Sequence, residues 1–354
     1  MTTLKTGISV VVPVYNSAPQ IGELVARVQK SLEPYQTNFE LILVNDQSAD
    51  NSWSVIEDVA NKQSFVTGIN LARNSGQHNA LLCGIRSARY SICITLDDDL
   101  QFLPEDIPQL LTKLNEGFDL VYGTPLKQQH GVWRNFASLT TKLALNALMG
   151  TQMARHISPF RAFKTKLREA FKDATGDVTL VDVLLSWGTN RYSSVRVQHV
   201  PRATGRSNYS FSKLVLCAFN MITGFTTIPL RVATINGLLC VGAGLILLAY
   251  VFYRYFENGG SVPGFPFLAS VIIIFSGAQL FALGIIGEYM GRMYSRTLNR
   301  PSYIVESVVT SNSSTAGSEC KLEAIEENCR PGNVDFQQSF APDHSQNHPA
   351  RTLN

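Results

Sequence analysis

Residues 8–16 have the sequence ISVVVPVYN, in which a run of β-branched residues is ended by Pro13. A short, uninterrupted apolar run of this kind is typical of a strand that is buried in a parallel sheet. The apolar residues that follow, from residue 21 to residue 32, recur with the spacing of an amphipathic helix. Strand and helix therefore follow one another directly, which favours a parallel sheet covered by helices.

This alternation of strand and helix continues to about residue 114. The predicted strands are residues 8–12, 40–44, 65–71 and 91–96, and the predicted helices are residues 21–32, 51–59, 77–88 and 104–114. Sheets of this class bind their ligands beyond the carboxyl ends of the strands. We therefore expect an α/β domain with a functional site at that edge of its sheet.

Three polar clusters follow the predicted strands at this edge, namely residues 13–16 (PVYN), 45–48 (NDQS) and 95–101 (TLDDDLQ). Three consecutive carboxylates repel one another at a strand end, and a divalent cation relieves that repulsion. Because alternate residues of an extended chain share a side, Asp97, Asp99 and Gln101 are predicted to face one Mg²⁺ or Mn²⁺ site while Asp98 turns away. For an aspartate run taken alone, the alternative is a solvated turn.

A candidate anion site lies where the third predicted strand gives way to a helix, at residues 73–78 (RNSGQH). The N-terminus of a helix beside a glycine attracts anions, and Arg73 adds a positive charge there. The alternative for these residues is a plain helix cap.

Two long uncharged stretches lie in the C-terminal third, with predicted helices at about residues 232–253 and 265–288. A helix needs about 20 apolar residues to cross a bilayer, and both stretches meet that requirement. They are predicted to form a transmembrane hairpin, the alternative being a pair of buried core helices. Gly277, Gly284 and Gly291 recur every seven residues in the second helix. Small residues on one face allow close packing within the hairpin or between the subunits of a homo-oligomer.

Basic residues flank the outer ends of this predicted hairpin: Arg231 on one side, and Arg292, Arg296 and Arg300 on the other. The connecting loop has only Arg254, beside Glu257. The positive-inside rule then places the N-terminal domain and the C-terminal tail in the cytoplasm. We expect a multi-pass protein of the inner (plasma) membrane.

The chain accordingly divides into five predicted parts. They are a cytoplasmic catalytic domain (1–208), interfacial amphipathic helices (209–230), the transmembrane hairpin (231–292), a juxtamembrane segment (293–310) and a disordered tail (311–354). Ordinary packing helices are the alternative for residues 209–230.

Composition limits the function classes further. The chain is 45% hydrophobic, which excludes disorder throughout, and only 16% of its residues are charged. Its net charge of +3 is too small to indicate a nucleic-acid partner, and we expect none. The six cysteines form no C-x-x-C pair, which favours ordinary reduced thiols.

In this order the motifs resemble the membrane-anchored family 2 glycosyltransferases of the GT-A (Rossmann-like) fold that act on polyprenyl phosphates. The resemblance rests on RNSGQHNALLCGI from residue 73, TLDDDLQFLPEDIP from residue 95, GRSNYSF from residue 205 and GAQLFALGIIGEYMGRMY from residue 277. It implies inverting transfer from a nucleotide sugar, with a UDP-sugar favoured, to a polyprenyl phosphate such as undecaprenyl phosphate. The product would serve envelope glycan or glycolipid modification at the cytoplasmic face of the lipid bilayer.

The polar clusters and the resemblance together give the candidate site residues. Those for the nucleotide sugar are Pro13, Tyr15, Asn16, Asp46, Arg73, Gln77, Asp97, Asp98, Arg202 and Ser207. Those for the metal are Asp97, Asp99 and Gln101, and the candidate catalytic residues are Asp99, Arg155, Arg161 and Arg202.

Several positions depart from the family pattern. Asn45 replaces the first aspartate of a D-D-G-S motif, Ser17 replaces a common glutamate, and Asn208 stands where relatives often have lysine. Arg155 stands where relatives carry an aspartate that is proposed as the catalytic base. A phosphate monoester has its second pKa near ~6 and is already ionised at pH 7, so it needs no such base. Arg155 and Arg161 are predicted instead to hold the lipid phosphate, with a membrane-facing position as the alternative for Arg155.

Other functions are less well supported. A processive polysaccharide synthase normally carries a Q-x-x-R-W motif and more transmembrane helices, and this sequence has neither feature. A catalytically decayed membrane scaffold would explain Asn45, Asn208 and Arg155, but the intact Asp97 and Asp99 count against it. A transferase that acts on another lipid or glycan acceptor stays open.

Overall fold

The structure is a computed structural model that describes residues 4–35, 37–126, 156–172, 180–200, 228–257, 264–298 and 300–311. Eight strands in these residues form one sheet. The strands are β1 (Lys5–Val14), β2 (Phe39–Asn45), β3 (Val66–Leu71), β4 (Tyr90–Thr95), β5 (Leu120–Pro125), β6 (Arg161–Lys164), β7 (Tyr192–Val197) and β8 (Val305–Thr310). The helices are α1 (Ala18–Leu32), α2 (Ser52–Lys62), α3 (Gln77–Ser87), α4 (Ile107–Asn115), α5 (Val181–Gly188), α6 (Ile228–Glu257) and α7 (Phe265–Thr297).

The strands are arranged in the order β7-β5-β6-β4-β1-β2-β3-β8. β1 pairs in parallel with β2 and β4, and β2 pairs in parallel with β3, so the α/β prediction is confirmed for the centre of the sheet. The prediction of a purely parallel sheet is wrong, because β6 and β8 are antiparallel to their neighbours. Both antiparallel strands come from parts of the chain outside the initial alternation of strand and helix.

The central strands are buried on both faces. Val10 and Val12 of β1 pack with apolar residues of α1, α2 and α4, whereas Val11 packs with residues of α3 and α5. Successive side chains of a strand point to opposite faces, so one apolar run serves both layers of the core. This burial explains why β1 has no polar alternation in its sequence.

Gly84 brings α3 unusually close to β1. A Cβ atom at this position would lie 2.3 Å from Val11 Cγ1, a distance that real Cβ contacts do not show. The absence of a side chain therefore lets α3 lie directly on the sheet, with its N-terminus at the carboxyl ends of the strands.

The two C-terminal helices differ in how well they fit a membrane span. Among the described residues, one helix, Pro229–Glu257, is long and apolar enough to cross a membrane, judged by length and composition. α7 is helical as predicted but continues to Thr297, beyond the predicted end at residue 288. That α7 crosses a membrane stays a prediction. The helices meet at Gly244, where a Cβ atom would lie 3.2 Å from Phe275 Cζ.

The segment that follows α7 returns to the sheet. Residues 293–310 were predicted to be juxtamembrane, but residues 305–310 form β8, which pairs with β3. The alternating β-branched sequence VESVVT suits an edge strand. Residues 209–227 and the tail from residue 312 lie outside the described residues.

Candidate functional site

The ends of β1, β2 and β4 bring the three polar clusters to one edge of the sheet. The backbone N–H of Asp46 donates to the carbonyl of Val14 over 2.9 Å, and that of Leu96 donates to the carbonyl of Val11 over 3.2 Å. Strands β1, β2 and β4 therefore end side by side. The loops that carry Tyr15, Asp46 and Asp97 start from these neighbouring strand ends.

Asp46 fixes the segment before α3. Its carboxylate is 3% exposed and accepts hydrogen bonds from the backbone N–H groups of Ser75 (2.6 Å) and Gly76 (2.8 Å). Burial raises the pKa of Asp46, and these two hydrogen bonds oppose that rise. Gly76 has a φ of +88°, which glycine adopts without strain. Asp46 thus holds the start of α3 in place, with Arg73 exposed beside it.

The three consecutive aspartates have different partners. Asp97 Oδ1 accepts from Gln77 Nε2 over 2.6 Å, and Asp98 Oδ2 accepts from the backbone N–H of Tyr15 over 3.0 Å. Asp99 Oδ1 accepts from the backbone N–H of Gln101 over 3.1 Å. The first aspartate therefore faces α3, the second faces the loop after β1, and the third shapes its own loop.

Burial and the neighbouring carboxylates both raise the pKa of Asp97. Burial, followed by the charges of Asp99 and Asp98, raises the pKa of Asp97 to about 7, although Arg161 and Gln77 lower it. The ionised form is thus poorly stabilised at neutral pH. A cation near this carboxylate would stabilise it.

The metal prediction can be tested against these residues. No group of three or more His, Cys, Asp or Glu side chains in the described part of the chain is arranged to hold a metal ion. Mg²⁺ and Mn²⁺ that are shared with a diphosphate need only one or two carboxylates, because phosphate oxygens and water complete the shell. Asp97, with its raised pKa, and Asp99 fit that requirement.

Arg161 lies in the interior next to this loop. Its side chain is 1% exposed, Nε donates to Thr95 Oγ1 over 2.9 Å, and the guanidinium forms an ion pair with Asp182 of α5. Tyr122 Oη donates to the same carboxylate over 3.2 Å. Burial opposes the charge of Arg161, but Asp182 and Tyr122 outweigh it and raise the arginine's pKa.

This position changes the interpretation of Arg161, which was predicted to hold a lipid phosphate. A guanidinium that is buried and paired with Asp182 does not offer its donors to a ligand at the surface. Its positive charge instead lowers the pKa of Asp97. Arg161 is therefore better placed to stabilise the ionised carboxylate of Asp97 than to bind the acceptor.

Sequence reasoning missed Asp182, the ion-pair partner of Arg161. Asp182 interrupts the apolar sequence VDVLL of α5, and a lone carboxylate in such a stretch was a usable signal. His78 lies on the first turn of α3, where burial and Arg161 lower its pKa while Asp182 raises it. Its Nδ1 has no hydrogen-bond partner among the described residues.

The remaining candidates are placed as follows. Pro13 lies in β1 opposite Val44 of β2, and Tyr15 is 51% exposed. Asn16 has a φ of +54°, and its Oδ1 accepts from the backbone N–H of Ala49 over 2.8 Å. Arg155, Arg202 and Ser207 lie outside the described residues.

Comparisons with known proteins identify the family of the chain. Residues 9–178 match the family described as Glycosyl transferase family 2, and the chain belongs to this family of glycosyltransferases. It is 34% identical over 319 residues to the undecaprenyl-phosphate 4-deoxy-4-formamido-L-arabinose transferase of Pseudomonas aeruginosa (strain LESB58), which covers 88% of this chain and 93% of the relative. The enzyme of the same name from Proteus mirabilis (strain HI4320) is 35% identical over 306 residues, with 85% and 94% covered.

A comparison of structures gives a more distant likeness. The crystal structure of S. aureus TarS 1-349 in complex with UDP-GlcNAc has a TM-score of 0.44 and 17% sequence identity, and it covers 62% of this chain and 66% of that chain.

Proposed function

We propose that this chain transfers a sugar from a nucleotide sugar, a UDP-sugar being the first candidate, to a polyprenyl phosphate such as undecaprenyl phosphate. The observation that carries the proposal is the aspartate loop after β4, where Asp97 contacts Gln77 at the start of α3. A nucleotide sugar bound at the start of α3 would lie next to these aspartates, at the edge where α/β sheets bind their ligands. The two relatives named as undecaprenyl-phosphate transferases match over 88% and 85% of the chain and support the acceptor.

On the donor side, the residues provide opposite kinds of contact to a nucleoside diphosphate. The exposed Arg73 and the N-terminal turn of α3 offer positive charge and N–H donors. Asp97, Asp99 and Gln101 would hold Mg²⁺ or Mn²⁺, which when bound supplies Lewis-acid stabilisation of the departing diphosphate. Tyr15, which is half exposed, is proposed to contact the base or ribose.

On the acceptor side, the chemistry needs no general base. A phosphate monoester carries about −1.5 to −2 charges at pH 7, so its oxygen is already a nucleophile. That oxygen forms a bond to the anomeric carbon while the bond from this carbon to the diphosphate breaks, and the nucleoside diphosphate leaves with the bonding electrons. A single in-line displacement inverts the anomeric carbon. Arg155 and Arg202 are proposed to offset the repulsion between the two phosphates.

A membrane anchor would hold the catalytic domain near a lipid acceptor. α6 is proposed to anchor the domain in the inner membrane, with α7 as a second span and with the catalytic domain and the tail in the cytoplasm. An acceptor phosphate at the level of the lipid headgroups would then be reached from the carboxyl edge of the sheet.

The direct test uses the purified full chain in lipid nanodiscs with undecaprenyl phosphate, Mn²⁺ and a panel of radiolabelled nucleotide sugars. We expect label in the organic phase with at least one donor, and loss of that label in Asp99→Asn. Asp58→Asn, an exposed carboxylate of α2, is the matched control and should transfer label as the parent does. Transfer to undecaprenol without its phosphate, or no transfer from any donor, would refute the proposal.

A further inference from the structure

A continuous series of hydrogen bonds joins the strand after α7 to the loop after β1. Glu306 Oε2 of β8 accepts from Asn70 Nδ2 over 2.8 Å, and Asn70 Oδ1 accepts from Asn45 Nδ2 over 2.7 Å. Asn45 Oδ1 then accepts from Ser48 Oγ over 2.6 Å. Ser48 Oγ finally accepts from the backbone N–H of Asn16 over 3.0 Å. We call these five residues the β8 relay.

The relay has a direction that depends on the type of each residue. Glu306 can only accept, which orients the amide of Asn70 so that its oxygen faces Asn45. Asn45 must therefore donate on one side while it accepts from Ser48 on the other. An ionised aspartate at position 45 could only accept and could not complete this pattern. The departure from the family's D-D-G-S motif is thus matched to Glu306.

The strand that carries Glu306 is firmly attached to the domain. Ser307 lies opposite Asn70 in the register of β8 and β3, and the backbone N–H of Ala72 donates to the carbonyl of Ile304 over 2.9 Å. Tyr303, which is 2% exposed, accepts a hydrogen bond of 3.3 Å from Arg86 and lies under its guanidinium. β8 is therefore held firmly against the domain, and the side chain of Glu306 can restrain the segment that follows β1 through the residues of the relay.

We propose that Glu306 is a positioning residue for the nucleotide-binding segment of residues 13–16, at the end of β1, and that it acts through Asn70, Asn45 and Ser48. The inference rests on the proposed function, since the contact of Tyr15, the neighbour of Asn16 in the chain, with the base or ribose of the donor is part of that proposal. It extends the site to a residue that lies beyond both C-terminal helices in the chain and acts through its hydrogen-bond partners.

The first experiment measures binding of UDP, GDP and dTDP to the full chain by calorimetry in the presence of Mn²⁺, and the KM and kcat of transfer for the donor that the parent uses. Glu306→Ala should weaken nucleotide binding and raise the donor KM about fivefold, as expected for the loss of one exposed hydrogen bond to a charged group. kcat and the melting temperature should change little, because Glu306 is exposed. Glu306→Gln should restore binding, since its amide oxygen still accepts from Asn70. Glu33→Ala, which removes another exposed acid, is the control.

The second experiment uses a pair of compensating substitutions. Asn45→Asp removes the donor to Asn70, whose amide must then turn and present its oxygen to the Glu306 carboxylate. Nucleotide binding should weaken, and adding Glu306→Gln should recover it by supplying a donor. Unchanged binding in Glu306→Ala, or no recovery in the double variant, would overturn the inference alone. A parent chain that binds none of the three nucleotides would overturn the proposed function as well.

Discussion

Binding of Mn²⁺ to the aspartate loop should depend on pH in a way that follows from Asp97. Its pKa is raised to about 7 by burial and by the charges of Asp99 and Asp98, so a proton competes with the cation near neutral pH. For one competing proton, the apparent Kd increases by a factor of one plus ten to the power pKa minus pH. With a pKa of about 7 this factor is about 1.1 at pH 8 and about 11 at pH 6. Binding should therefore weaken about tenfold between these two values.

Calorimetry on the full chain in detergent tests this prediction. Titration with Mn²⁺ at several pH values from 5.5 to 8.5 gives the apparent Kd, and repetition in two buffers of different ionisation enthalpy gives the number of protons released. About half a proton should leave at pH 7, where Asp97 is half ionised. Asp58→Asn, in which the exposed partner of Lys62 is neutralised, should behave as the parent does.

Thermal unfolding gives an independent measure of the same group. The pKa of Asp97 is higher in the folded chain than the ordinary aspartate value, so this residue's contribution to stability is lost as the pH rises toward and through about 7. Mn²⁺ should therefore raise the melting temperature more at pH 8 than at pH 5.5. Equal Mn²⁺ affinity at pH 6 and pH 8, or an unchanged pH dependence in Asp97→Asn, would refute the reasoning.

Three further substitutions test the packing that supports the site. Asp182→Ala leaves the buried Arg161 cation without its partner. The free energy of unfolding should fall by about 3–5 kcal/mol, which lowers the melting temperature by roughly 10 °C. An unchanged melting temperature would contradict the ion pair. Gly84→Ala places a methyl group against Val11 and should lower the free energy of unfolding, measured by chemical denaturation, by about 1–3 kcal/mol. A variant as stable as the parent would contradict the close approach of α3 to β1. Gly22→Ala in α1, where a Cβ atom meets nothing within 4 Å, should stabilise the chain by about 0.5–1 kcal/mol, and a loss of stability would contradict this open position.

The first half of the catalytic domain could be predicted from sequence because its signals are local. Strands β1–β4 and helices α1–α4 each carry their own apolar period, and the structure has all of them. The later strands lack such a local apolar pattern. β6 has only four residues, and β8 is separated from its partner β3 by most of the chain. No periodicity within a short window reports such a pairing.

The convergence of the polar clusters at one edge of the sheet was predictable, whereas the partner of each side chain was not. Strands β1, β2 and β4 end together, which brings the polar clusters to one edge. Which hydrogen bond Asp46 or Asp98 makes depends on backbone groups of distant loops. Arg161 shows the difference most clearly, because its buried guanidinium is paired with Asp182, which lies on a helix that the sequence did not predict.

Asn45 shows why a departure from a family motif has to be judged together with its partners. Taken from sequence alone, the loss of an aspartate at this position supports a decayed, non-catalytic scaffold. In the structure the amide of Asn45 donates to Asn70 and accepts from Ser48. An aspartate at position 45 would lose the hydrogen bond that Asn45 donates to Asn70. Asn45 thus has a partner on each side in a series of hydrogen bonds that runs from Glu306 to Asn16, and its presence in place of an aspartate is not by itself a sign of a decayed site.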